Sequence, residues 1–525
     1  MFSLLGDLGS WESPFTSGLL SLSPSLPPYF ASALFSLLVF TVLNFAHRAP
    51  LPNVTKAIRT LRKGTSELHP HHPPPVPRLA AASVAKASQT EKKWIPQNIH
   101  YPAELLVWHI VDEELDNLKS THHRFWWSKH FGKHLAVLLH AAEYPENLQY
   151  RDLKFFATTI APYLGVSRET NQGGPLPWPS FMTDDGTPLE VSWDWGTKDG
   201  PPMIRYSIEP IGLYAGSSLD PGNLIAAPAF QEQLLHSLGN MRLEWFQHFK
   251  AFFDVRNEGA GFVEDTKDHN TSIFYAFDLS PNEITAKVYF FPKIRARATG
   301  QSSIEVLSQA IRAAPHSTSD VLKAWDMFCD FSTDPSGPAL EHEMLAIDLI
   351  DPLESRLKIY FRCRDTTFNS VVNIMTIGGR IENPKLYQGL EDLRHLWNVL
   401  FHTGVDVPPE QSLPRVDHRT AGILYNIEFK LGDTYPVAKI YLPVRHYSSS
   451  DEAVIQGLNL YFQHHQRGKY MPSYVKAMRA LFCTKSMQAT SGIHTYIGCA
   501  IRPNGTLRVV SYFKPGIPQF VARTK

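Results

Sequence analysis

Five short apolar stretches of this chain each carry a cation, and in four of them a tyrosine follows two or four residues later. They run Met203 to Pro210, Lys287 to Pro292, Arg356 to Cys363, Lys439 to Pro443 and Arg508 to Phe513. Within them sit Arg205; Lys287 with Tyr289; Arg356 and Lys358 with Tyr360; Lys439 with Tyr441; and Arg508 with Tyr512. In an extended chain, residues two or four apart point to one side of the pleat. The apolar residues between them, such as Val288, Leu357, Ile359, Ile440 and Val510, then need an apolar partner of their own. A lone charge facing an interior is costly unless something neutralises it. A ring of cations and phenols therefore asks for a multiply charged anion, most simply a diphosphate.

One strand cation is ordinarily a solvated residue. The pattern gains meaning because five stretches repeat it. Tyr206, Tyr275 and Tyr447 fall on other faces or in loops and read as packing. Glu190 stands between Leu189 and Val191 in an apolar alternation, where a raised pKa and a hydrogen-bonding role are expected. A salt bridge to Arg205 is the competing expectation for it.

The elements that position these residues alternate regularly. Helical periodicity marks Glu104 to Ser120, Phe125 to Ala142 and Leu153 to Leu164. A hairpin follows, Thr187 to Asp194 with Met203 to Pro210. Helix Glu232 to Asp254 precedes the second hairpin, Thr271 to Leu279 with Glu283 to Phe291. Helices Ile304 to Ala313 and Ser319 to Cys329 precede the third, Leu345 to Ile350 with Arg356 to Cys363. Helix Tyr387 to Leu400 precedes the fourth, Ala421 to Lys430 with Val437 to Pro443. Helices Asp451 to Gln466 and Tyr470 to Cys483 precede the fifth, Ile493 to Ile501 with Leu507 to Phe513. The repeat length is roughly 70–80 residues, longer than solenoid periods. The expected class is α+β: a ten-stranded antiparallel β-barrel of five ααββ repeats with helices outside, wide enough to hold a ligand. Two sandwich-like α+β domains of five strands each are the alternative.

Composition sets further limits. Fifty basic residues balance fifty acidic ones, which argues against a nucleic-acid binder. The four cysteines, Cys329, Cys363, Cys483 and Cys499, form no CxxC pair, so a zinc ribbon or disulfide framework is not expected and a reducing compartment fits. Residues 1–48 form an N-terminal extension in which Tyr29 to Ala46 is almost wholly apolar. Its 18 residues suffice for a transmembrane anchor. Arg48, Lys56, Arg59, Arg62 and Lys63 follow it, so a membrane-anchored protein with a cytosolic catalytic domain is expected. Residues 49–93, rich in Pro, His and Ala, read as a flexible linker, in which His69, His71 and His72 are not expected to bind metal. The barrel domain is placed at 94–517 and a tail at 518–525.

In order along the chain stand Trp126-Trp127, TPLEVSWDW (Thr187 to Trp195), RYSIEPIG (Arg205 to Gly212) and AFDL followed by KVYFFP (Lys287 to Pro292). RLKIYFRC (Arg356 to Cys363), AKIYLPVRHY (Ala438 to Tyr447) and HTYIGCAI to SYFKPG complete the series. Together they resemble the fungal indole (dimethylallyltryptophan synthase-type) aromatic prenyltransferases over about Trp94 to Ile517. The resemblance implies an ABBA-type barrel that transfers a prenyl group from dimethylallyl diphosphate, or a longer donor, to an indole or other electron-rich aromatic acceptor. It places such a protein in fungal-type secondary metabolism and implies no metal or other cofactor in the chemistry. By the same resemblance Arg205, Lys287, Arg356, Lys358 and Lys439 hold the diphosphate, and Tyr289, Tyr360, Tyr441 and Tyr512 shield the allylic cation. Glu190 is the catalytic residue and, with Met182, touches the acceptor.

Ionising an allylic C–O bond creates a cation and a diphosphate, and both need stabilising. Lys and Arg aimed at the leaving oxygens supply charge where it develops. Phenol faces stabilise the cation and keep water from it. A carboxylate accepting an indole N–H or phenol O–H enriches the attacking ring. Two positions depart from the family pattern. Arg508 stands where many members carry a tyrosine, and Phe274 stands where ergot-type members carry a lysine. The second departure argues against prenylation at carbon 4 of tryptophan.

Two other functions are weighed. A class I terpene synthase also handles allylic diphosphates but needs acidic magnesium-binding motifs on an all-helical scaffold; Asp112, Glu113 and Asp116 supply one weak string. A non-catalytic phosphate- or lipid-binding barrel at a membrane keeps the cations but gains nothing from Glu190 or the tyrosines.

Overall fold

The computed structural model describes residues 102–115, 120–255, 269–404 and 407–516. Where β-branched and aromatic residues concentrate, ten strands form. The first five are β1 (Leu189–Gly196), β2 (Met203–Ile208), β3 (Ile273–Leu279), β4 (Ile284–Phe290) and β5 (Leu340–Asp348). The rest are β6 (Leu357–Cys363), β7 (Ile423–Phe429), β8 (Val437–Leu442), β9 (His494–Ile501) and β10 (Leu507–Phe513). Each strand pairs antiparallel with its chain neighbours, and β1 also pairs with β10, so the sheet closes into a ten-stranded barrel. Closure leaves no strand edge unpaired. The expected barrel is present, and the two-sandwich alternative is excluded by the β1–β10 seam.

The pleat gives each strand two faces with different partners. Outward residues such as Trp193, Tyr206, Phe277, Ile359 and Ile440 are buried in one apolar cluster with the surrounding helices. Trp193 meets Tyr474 of helix Met471–Leu481 with ring centroids 5.2 Å apart, and Tyr206 meets Phe131 at 5.7 Å. Burying each such side chain contributes about 1.5–3 kcal/mol, so the shell fixes which face of every strand is left for the lumen. Tyr206 and Tyr275 lie on this outer face, as packing residues. Val510 does not: it sits opposite Asp194 and shares its side with Arg508 and Tyr512, because the three are two residues apart.

Several element boundaries differ from those read in the sequence. The helix expected over 232–254 is two, Ala226–Ser237 and Glu244–Phe253, with Gly239 between them. The segment expected over Phe125 to Ala142 opens with a π turn, Phe125–His130, before helix Phe131–Ala141. That turn brings the Trp127 carbonyl oxygen to 2.2 Å from where a Cβ on Gly132 would lie, so only glycine fits there. Helices Lys293–Thr299 and Phe368–Met375 are additions, each short and beside a hairpin end.

All described residues belong to the compact unit His100–Lys525. The extension, the anchor at 29–46, the linker at 49–93, the boundary at 94 and the tail at 518–525 lie outside the described residues. Among the described residues no helix is long and apolar enough to cross a membrane. The anchored localisation and the membrane partner are accordingly corrected and are not carried further. The terpene synthase alternative fails on its scaffold, since the helices enclose a closed sheet. Its acidic string is also committed elsewhere: Asp112 accepts a 2.7 Å hydrogen bond from the Trp127 indole, while Asp116 lies outside the described residues.

Candidate active site

The lumen is layered along the barrel axis. Near the hairpin turns lies a charged layer. Asp194 of β1 receives Arg205 of β2 at 2.5 Å and is gripped by Nε and Nη2 of Arg508 of β10. Arg205 also reaches Asp278 of β3 at 3.1 Å, and Asp278 binds Lys287 of β4 at 2.5 Å. Asp348 of β5 receives Arg356 at 2.9 Å and Lys358 of β6 at 2.5 Å. Glu428 of β7 receives Arg356 at 3.1 Å and Lys439 of β8 at 2.6 Å.

The structure therefore brings all five sequence-predicted diphosphate ligands into one belt and interleaves them with carboxylates that sequence reasoning missed. The missed acids had a signal. Each stands on the first strand of a hairpin, in WDW, AFDL, AIDL and IEF, with Asp278 and Glu428 cross-strand from the partner hairpin's cation layer. The fifth hairpin breaks the rule. Its equivalent position is Ala500, which pairs with Lys439 on one side and Arg508 on the other. Six cations (Arg205, Lys287, Arg356, Lys358, Lys439, Arg508) thus face four carboxylates (Asp194, Asp278, Asp348, Glu428), an excess of two positive charges.

Burial and pairing pull these groups in opposite directions. Burial alone pushes Glu428 up, but Lys439 and Arg356 bring it down to about 2. Asp278 and Asp348 are likewise held well below the carboxylate range by their lysines and arginines. Burial draws Lys358 down to about 7 and Lys439 to about 8, more than their acids restore. An arriving anion adds to the pull of these acids and favours the charged form of both lysines.

Two residues along β4, β6 and β8, and four along β10, lies an aromatic layer. Tyr289, Tyr360, Tyr441 and Tyr512 form an unbroken row, with successive ring centroids 5.7, 5.8 and 5.7 Å apart. Tyr441 receives a 3.3 Å hydrogen bond from the Asn426 amide, and its hydroxyl lies 3.4 Å from that of Tyr360. Phe274 stacks on Tyr289 at 4.0 Å, extending the row by a ring where a lysine would have interrupted it. Gly498 makes room at the far end: a Cβ there would lie 2.9 Å from the Tyr512 ring and 3.3 Å from that of Tyr441.

Glu190 sits at the opposite end of β1 from Asp194, on the same side of the pleat. It does not reach Arg205; Thr495 donates a 2.6 Å hydrogen bond to it instead. Burial raises its carboxyl to about 7, against the opposing pull of Thr495 and Arg445. Met182 joins Phe181, Phe274, Phe291 and Met344 with Tyr289, Tyr360 and Tyr441 in a lumenal apolar cluster. The segment bearing Phe181 and Met182 is tied down by Glu209, which accepts from Trp178 at 2.8 Å, Ser180 at 2.5 Å and Thr271 at 2.9 Å. Neither Glu209 nor Phe181 was singled out in the sequence; the only hint was the Glu in RYSIEPIG.

A layer of excess positive charge, a row of phenols beside it and a buried carboxylate beyond suit the transfer of a carbocation from an anionic leaving group. Comparison with known proteins agrees. The family model "Tryptophan dimethylallyltransferase" matches residues 122–477. The 4-O-dimethylallyl-L-tyrosine synthase of Claviceps purpurea is 33% identical, covering 78% of this chain and 91% of the relative. A 7-dimethylallyltryptophan synthase of Aspergillus fumigatus is 32% identical over 74% of this chain and 84% of its own length. Xanthone prenyltransferase B of Emericella nidulans is 30% identical over 74% and 87%. In structure, AnaPT from Neosartorya fischeri has the same fold, with a TM-score of 0.66 at 22% identity, over 78% of this chain and 98% of that one. The chain belongs to the tryptophan dimethylallyltransferase family and is an aromatic prenyltransferase.

Proposed function

We propose that the charged layer binds the diphosphate of dimethylallyl diphosphate, or of a longer prenyl donor, through Arg205, Lys287, Arg356, Lys358 and Lys439, with Arg508 as a sixth ligand. The observation that carries this reading is the two-residue offset between cations and tyrosines on β4, β6 and β8. It sets an anion site beside a row of π faces, the arrangement an ionising allylic ester needs. The surplus positive charge flanks Ala500, so the diphosphate is drawn to the Lys439 and Arg508 side of the belt.

The donor C–O bond breaks with its electron pair leaving on the diphosphate. Tyr289, Tyr360, Tyr441 and Tyr512 shield the resulting cation from water. Glu190, with Met182 beside the acceptor, takes the hydrogen bond of an indole N–H or phenol O–H and enriches the attacking ring. The six cations supply the charge that ionisation demands, so the reading needs no metal in the chemical step. Phe274 disfavours attack from carbon 4 of tryptophan, because no basic side chain stands at that place to receive the ring proton. The relatives' names span a tyrosine oxygen, a tryptophan ring and xanthones, so the acceptor is an electron-rich aromatic in that range.

The test is incubation of the purified protein with dimethylallyl, geranyl and farnesyl diphosphates against indoles, phenols and xanthones, read by mass spectrometry with and without excess chelator. A prenylated aromatic formed equally in chelator is the expected result. Strict dependence on a divalent ion would overturn the metal-free step.

A further inference from the structure

Outside the barrel, helix Pro384–Phe401 and helix Asp451–His464 pack at unusually short range. The contact is made at Gly457, where a Cβ would lie 2.7 Å from the Val399 carbonyl oxygen. Two helices that close present facing side chains about one turn away with little space between them. One turn before Val399 is His395, and two turns beyond Gly457 are His464 and His465. Their rings are 4.6 Å apart for His395 and His464, 5.7 Å for His395 and His465, and 5.0 Å for His464 and His465. One ligand nitrogen from each lies within 4.8 Å of the other two. His465 Nε2 is shielded from solvent and has no hydrogen-bond partner among the described residues.

We propose that His395, His464 and His465 form a binding site for a divalent first-row transition ion of the zinc type, remote from the lumen. Three imidazoles with a fourth position open to water match the preferences of such an ion. Nitrogens within 4.8 Å of one another lie near the spacing that tetrahedral coordination at about 2.0–2.1 Å asks for. Asp392, nearly one turn before His395, adds negative charge felt by the His395 and His465 rings. Arg467 is the opposing charge, but its guanidinium is held by the carbonyls of Gly196 at 2.7 Å and Leu507 at 3.0 Å and lies over Phe462. An ion here would pin two shell helices beside the link that Arg467 makes to the turn end of the barrel. Its role is stabilising.

The test uses the full chain, stripped with chelator and then titrated with Co²⁺ and Zn²⁺ without donor or acceptor, so it is independent of the catalytic reading. The expected result is a tetrahedral Co²⁺ absorption that Zn²⁺ abolishes, with Zn²⁺ raising the melting temperature. His464→Gln, at an exposed position, and His395→Gln should each remove one bound equivalent and weaken Zn²⁺ by more than the roughly 10–100-fold typical of an outer-shell partner. Replacing His69, His71 and His72 together should leave that equivalent in place. Absence of the absorption in the unmodified protein, or its survival in His464→Gln, would overturn the proposal.

Discussion

On β4, β6 and β8 the charged and aromatic layers stand two residues apart on one strand, yet they are held together by different physics. The charged layer is a set of buried ion pairs in which Asp194, Asp278, Asp348 and Glu428 each serve two cations. Such a network is only weakly stabilising overall, but breaking it is costly because a charge is left buried. The aromatic layer is held by packing and two long hydrogen bonds. Charge is over-determined in one layer and shape in the other. This difference teaches where substitutions should harm folding and where they should harm only turnover.

The largest effect should come from neither layer. Glu190→Gln keeps the Thr495 hydrogen bond and the packing but removes the carboxylate, so turnover should fall about 10²–10⁴-fold with an unchanged melting curve. Because Glu190 is raised to about 7, and because the ionised form is the one that accepts, kcat/KM should fall as pH drops through about 7. That limb should vanish in Glu190→Gln. A profile with the limb intact in the variant would detach Glu190 from the reaction.

Asp348→Asn tests over-determination directly. It leaves Lys358 without an acid and Arg356 with Glu428 alone, so stability should drop by about 3–5 kcal/mol, measured by chemical denaturation. Added diphosphate should recover more stability in this variant than in the unmodified chain, since it replaces the lost anion. Equal recovery in both would mean that the belt is not the donor site.

Lys358→Met removes a cation whose acid retains Arg356, so folding should survive. A loss of about 10²–10³-fold in kcat is expected if Lys358 aims at the leaving oxygens, measured by steady-state kinetics.

The aromatic layer should respond least. Tyr441→Ala removes one π face, worth about 0.5–2 kcal/mol, and should slow prenylation while raising the share of donor lost to hydrolysis. Tyr441→Phe keeps the face and should stay within about threefold on the same grounds. Product analysis by chromatography separates the two. A Phe variant as poor as Ala would mean that the hydroxyl, rather than the ring, does the shielding.

The hairpins were legible because their alternation and turn residues are local. β8 and β10 fall within a residue of the expected limits. The barrel followed from the repeat, and the lumenal side of each cation followed from the pleat. The acids were not legible as a group. Asp278 and Glu428 acquire meaning only through cross-strand register, which pairs Arg205 with Asp278 and Lys358 with Glu428, and register is a long-range property. Glu190 shows the same limit: its partner Thr495 is 305 positions away, so Arg205, nearby in sequence, was the natural rival. The split of the helix over 232–254 was foreshadowed only by Gly239, whose cost in a helix is about 0.5–1 kcal/mol and is easily overridden by context.

The seam where β1 meets β10 has a consequence for how the chain matures. The two strands are more than 300 positions apart, as Trp195 and Ser511 illustrate with a hydrogen bond spanning 316 residues. During synthesis Asp194 emerges long before Arg508 can neutralise it, so an unfinished sheet carries an unmet acid on its inner rim. Arg205 covers part of that deficit from within the first hairpin. The final hairpin then acts as a latch whose arrival both shuts the cylinder and discharges the rim, and chains lacking it should be handed to proteolysis rather than persist as half-built cups.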